Sequence, residues 1–81
     1  MKARVYITLK KSVLDPQGET VKHALATLGF NTVDEVRMGK YVELNLNTAS
    51  KKQAEQKVQQ MCQQLLANPV IEEFRYDIVS R

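Results

Sequence analysis

The chain has 81 residues, 43% hydrophobic and 26% charged, with 12 basic against 9 acidic groups and a net charge of +3. That length suits one domain with one core, and a domain so small buries only about 60% of the surface its unfolded chain exposes, so oligomerisation is expected from size alone. The composition excludes a disordered or collagen-like chain, apolar runs of two or three residues exclude a bilayer span and point to the cytoplasm, and a single cysteine, Cys62, excludes a disulfide framework or paired-cysteine zinc site.

Ala3, Val5, Ile7 and Leu9 alternate with Arg4, Tyr6 and Thr8, which predicts a half-buried strand. Asp15-Pro16-Gln17-Gly18 reads as a helix start: Asp15 can accept from the orphan N–H groups and Pro16 fits the first helical position. Glu19 adds negative charge at the positive end of the helix dipole. Val21, Ala24, Leu25 and Leu28 then form one apolar stripe, and Gly29 supplies a left-handed stop, so the first helix spans Pro16 to Leu28.

Val36 and Met38, alternating with Glu35 and Arg37, predict a short second strand. Val42, Leu44 and Leu46 predict a third. A two-residue hairpin between them would send the two apolar sets to opposite faces. Pairing Met38 with Val42 instead requires the loop Gly39-Lys40-Tyr41, or a bulge at Gly39. Ser50 with Gln53 matches a capping box, followed by Ala54, Val58, Met61, Cys62, Leu65 and Leu66 at helical spacing. This second helix ends before Asn68-Pro69, and Phe74, Tyr76 and Ile78 form a last strand. The order β-α-β-β-α-β is the ferredoxin-like arrangement: an α+β single domain over residues 1–81, with an antiparallel sheet and both helices on one face.

Reactive groups are few. His23 falls on the outer side of the first helix and is the only histidine; Cys62 sits in the apolar stripe of the second helix and reads as a small hydrophobe. The pairs Asp34-Glu35 and Glu72-Glu73 point to opposite faces if they lie in strands, so neither can flank one bond. Gly18, Gly29 and Gly39 form no phosphate-binding motif. The basic residues are scattered, with only Lys10-Lys11 and Lys51-Lys52 adjacent, which is a poor basis for a phosphate-binding face. More informative are the apolar residues outside every stripe: Val13, Leu14, Phe30, Val33, Val70, Ile71 and Val79. Such residues suit a protein interface, which needs a desolvated apolar centre.

Three blocks, Leu9 to Gly18, Val36 to Lys40 with Glu43-Leu44, and Met61-Cys62 with Leu65 to Glu72, resemble the PurS subunit family of phosphoribosylformylglycinamidine (FGAM) synthase. The resemblance runs the whole length and is most specific at Val13 to Gly18. It implies a PurS-like fold and a non-catalytic subunit of de novo purine synthesis, in an enzyme that makes the amidine with ATP and ammonia from glutamine. It further implies an adaptor that docks a glutaminase subunit on a synthetase subunit and helps ammonia pass. No cofactor would be held by this chain, ATP and Mg²⁺ being used by the complex. Self-association as a homodimer is implied too, with segment exchange and pairing into tetramers both open. The blocks that carry the resemblance outside the core suggest docking through Leu14, Asp15, Gly18, Arg37, Gly39 and Lys40.

Two other classes stay in view. A nucleic-acid module of RRM type would present aromatics on its central strands, where only Tyr6 is placed by the pattern, and would shift RNA in a salt-dependent way. A regulatory domain binding a small ligand would show a ligand-induced rise in melting temperature without other subunits.

Overall fold

The computed structural model describes residues 1–79. β1 (Lys2–Leu9) is the central strand of a three-stranded antiparallel sheet, with β2 (Gly39–Asn45) on one side and β3 (Glu72–Val79) on the other. Register follows the alternation in the sequence. Val5 lies between Val42 and Tyr76, and Ala3 between Leu44 and Ile78, so one face is apolar throughout this region. The opposite face carries Lys2, Arg4 and Tyr6 with their cross-strand partners.

α2 (Lys51–Met61) begins at Ser50, whose Oγ accepts from Gln53 N at 3.2 Å. Only this half of the capping box forms, because the Gln53 side chain accepts from Thr48 Oγ1 at 3.3 Å instead. The helix lays Ala54, Val58 and Cys62 on the apolar sheet face, where all three are fully buried with Ala3, Val5 and Ile7. A π-helical turn, Cys62–Leu66, follows, closed by Ala67 N donating to the Cys62 carbonyl at 3.0 Å. The wider turn rotates the stripe. Ala67 becomes buried while Leu65, expected in the stripe, is 82% exposed.

α1 (Pro16–Thr27) has the expected start, with Asp15 as N-cap, and Gly29 follows it at φ 100°. Its stripe does not reach the core. Val21 and Leu25 are half-buried, Ala24 is exposed, Leu28 is 72% exposed, and the core cluster among the described residues contains no α1 residue.

The α+β class and the antiparallel sheet with two helices hold; the strand count and the central turn are corrected. Residues 33–38 are irregular, so the short strand at Val36 and Met38 is not formed and the described strands number three. A strand needs a neighbour to take its ladder bonds, and the Met38 N–H is instead taken by the Asp15 carboxylate. Gly39, Lys40 and Tyr41 are not a loop but the first residues of β2, opposite Thr8, Ile7 and Tyr6. Asp34 and Glu35 therefore lie outside any strand.

Candidate functional site

The residues singled out from the sequence gather at one end of the sheet, around the exit of β1 and the start of α1. Leu14, Asp15 and Arg37 line an open cavity of about 370 Å³, with Lys11, Ser12 and Glu35 among its other walls. Asp15, Gly39 and Lys40 line a neighbouring depression with Met38 and Glu72. Gly18 lines neither: it is buried at the first turn of α1, which corrects the expectation that it is itself a docking contact. The other five positions line two depressions that share Asp15.

Asp15 organises it. Oδ1 accepts from Gly18 N and Oδ2 from Met38 N, both at 2.9 Å. The Met38 and Gly18 N–H groups, helped by the nearby Arg37 charge, hold the Asp15 carboxyl below its ordinary range, because hydrogen bonds to the anion favour it. Gly18 is required by close approach. A Cβ there would run into the Val36 carbonyl oxygen, so only glycine lets residues 36–38 lie on the first turn.

Arg37 is 22% exposed, with Nη1 4.0 Å from Glu35 Oε2. Its Nε and Nη2 are shielded and find no hydrogen-bond partner among the described residues. Lys40 reaches across β1 to Glu72, 3.7 Å away, and stays more than half exposed. Leu14 is 75% exposed, Phe30 and Val70 are more than half exposed and Ile71 is 39% exposed; Val13, Val33 and Val79 are half-buried. Sequence reasoning missed Met38 as the second donor to Asp15, and Glu72 as the partner of Lys40. The first could not be seen without the fold, since 23 positions separate donor from acceptor. The second follows from register once β2 is known to start at Gly39.

Nothing reactive converges here. Cys62 is buried away from this surface, and burial pushes its thiol pKa up. His23 is exposed on α1, and no group of three His, Cys, Asp or Glu among the described residues could hold a metal ion. What the surface offers is an exposed leucine, a part-shielded guanidinium and a largely exposed ammonium. Those groups suit contact with another protein.

The outer sheet face corrects one more expectation. Tyr6 is joined there by Tyr41, directly opposite in register, with ring centroids 5.3 Å apart. Arg75 caps the Tyr6 ring at 4.1 Å, while Arg4 pairs with Asp77 at 2.9 Å and Lys2 with Glu43 at 3.3 Å. With Lys2 and Arg4 already paired to carboxylates, Arg75 is left as the one cation of the three without an acidic partner among the described residues, a weak attraction for phosphates that weighs against the RRM reading despite the second tyrosine.

Comparison with known proteins places this architecture. Residues 2–80 match the family model "PurS: Phosphoribosylformylglycinamidine (FGAM) synthase". Phosphoribosylformylglycinamidine synthase subunit PurS of Bacillus subtilis (strain 168) is 49% identical over 77 residues, which cover 95% of this chain and 90% of that one. A crystal structure of B. subtilis PurS superposes with a TM-score of 0.86 at 48% identity, covering 98% of each chain. The chain matched in the structure of PurLQS from Thermotoga maritima gives 0.88 at 31% identity, covering 96% of this chain and 95% of that one.

Proposed function

This chain belongs to the PurS family and is the PurS subunit of FGAM synthase in purine biosynthesis, and we propose that within the enzyme it is an adaptor without an active site. It docks the glutaminase subunit on the synthetase subunit, in the cytoplasm, and keeps the path of ammonia between them enclosed. ATP and Mg²⁺ serve the complex at sites on the other subunits. The observation that carries this reading is the surface on which Leu14, Asp15, Arg37, Gly39 and Lys40 line two depressions that share Asp15, with Gly18 supporting it from the buried first turn of α1. An adaptor acts by raising the effective concentration of one active site near another. Arg37 fits the role, since unpaired donors shielded from water favour an assembly that brings them an acceptor.

The working form is a homodimer. Three features support it: the uncovered stripe of α1, the unpaired stretch at residues 33–38, and the open outer edges of β2 and β3. Each is an element lacking a neighbour that a second copy has to offer.

Reconstitution tests the adaptor. Synthetase and glutaminase mixed with ATP, Mg²⁺ and glutamine should form the amidine only when this chain is present, while free ammonia should restore synthesis without it. The double substitution Arg37→Ala, Lys40→Ala should reduce both co-elution of the glutaminase and glutamine-dependent turnover. Unchanged co-elution would remove Arg37 and Lys40 from the docking surface. Glutamine-dependent turnover without the chain would end the adaptor reading itself.

A further inference from the structure

Between β1 and β2 the chain makes an excursion, out along α1 and back through residues 28–38, and among the described residues no α1 residue joins the core. Two sets of bonds make this excursion a unit of its own. At the far end Phe30 N donates to the Leu25 carbonyl at 2.9 Å, folding the return segment back past Gly29. At the near end the Asp15 carboxylate joins the first turn of α1 to Met38, and Gly18 lets the Val36 carbonyl settle against that turn. From these contacts we infer that residues 15–38 form one stiff arm, and that Asp15 is its clasp, a positioning residue that fixes where the arm's apolar stripe lands on a second copy. The consequence for assembly rests on the homodimer reading above; the clasp itself does not.

The bland alternative is that Asp15 is only a helix N-cap. Chemistry separates the two roles. A cap needs one oxygen near Gly18 N, whereas the clasp needs a second oxygen about as far from Met38 N, which only a carboxylate supplies without a donor of its own. Asp15→Ser keeps the cap, since serine is about as good as aspartate there, yet its single oxygen cannot serve Met38 as well. Asp15→Asn keeps the shape but places an NH₂ against one of the two backbone N–H groups. The core strands and α2 do not contain Asp15, so both variants should fold.

The test is amide hydrogen exchange on the full chain, with sedimentation equilibrium beside it. In Asp15→Ser, protection of the α1 amides should change by less than about threefold, while that of Met38 should fall roughly tenfold or more, as expected for losing a hydrogen bond to a charged group. Gly18→Ala, which displaces the Val36 carbonyl from the other side, should expose Met38 to a similar degree. Self-association should weaken in both. Unchanged Met38 protection in Asp15→Ser overturns the clasp. Exposed Met38 with unchanged self-association overturns the positioning role. If the unsubstituted chain is monomeric at every concentration, the homodimer reading fails, and the Met38 result still decides whether the clasp exists.

Discussion

Asp15 and Tyr41 show how far single residues could be read. The helix-start role of Asp15 is local, three residues from Gly18, and follows from residue type and spacing; its bond to Met38 depends on the return of the chain and has no local signal. The lowered Asp15 pKa sets the sign of its pH response. A carboxylate held below its ordinary value of 3.8 stabilises the fold above that value, and the contribution is lost as pH falls through the folded-state value. The groups around it are the Met38, Gly18 and Gln17 N–H donors, Arg37, Lys11 and Lys40 as cations, and Glu19, Glu35 and Glu72 as anions. Met38 protection, followed by exchange at decreasing pH, should therefore persist through pH 3.8 and collapse only below it; in Asp15→Asn it should be low throughout. Tyr41 responds in the opposite direction. It donates to Glu43 Oε2 at 2.7 Å, and that bond to a carboxylate, with desolvation, pushes its pKa up to about 12. The neutral phenol is the favoured form in the fold, so its contribution is complete below the ordinary value of 10.0 and disappears as pH rises to about 12. In an ultraviolet phenolate titration, Tyr41→Phe should remove the most alkaline component, and its survival in that variant would show that another tyrosine carries it.

α1 and α2 have equally plain apolar stripes, and the pattern alone cannot tell that only one of them is covered within the chain. Periodicity reports that a face needs burial, not what buries it. The same limit explains Val36 and Met38, which alternate like a strand but have no neighbouring strand to pair with, and so are irregular in the isolated chain. Leu65 fails for a different reason. It has the spacing of a core residue on a 3.6-residue helix, and the π-helical turn displaces it. What succeeded was whatever depends on nearby residues: the alternation of β1 and β3, the Ser50 cap and the start of α1. Substitutions should separate the two helices. Val58→Ala removes two fully buried methyl groups from the core and should cost about 2 kcal/mol in chemical denaturation. Leu28→Ala, at an exposed position, should shift the stability of dilute chain by less than about 0.5 kcal/mol, yet weaken self-association measured at high concentration. A large loss from Leu28→Ala in dilute solution would mean that α1 is buried within its own chain.

For the whole molecule the decisive quantity is shape. The Cα radius of gyration is 15.9 Å, whereas a compact domain of this length should have about 12 Å. Its extents of 48 × 27 × 14 Å describe a thin, elongated object with one helix on the sheet and one carried beyond it. An elongated chain of this size has little core to oppose its conformational entropy, since among the described residues the largest fully buried side chains are Ile7, Val5, Val58 and Cys62. On the homodimer reading, contacts between copies add stability that the single chain lacks, and stability of that origin depends on concentration. If folding is coupled to dimerisation, a hundredfold rise in chain concentration adds about 2.7 kcal/mol per dimer, which should raise the melting temperature by roughly 5 to 10 °C. Circular dichroism melts across that range should show the rise, and small-angle scattering should give a particle of twice the chain mass. A melting temperature independent of concentration, with a scattering mass of one chain, would mean that the elongated monomer is stable alone. The uncovered α1 stripe would then be free for the glutaminase or synthetase rather than for a second copy.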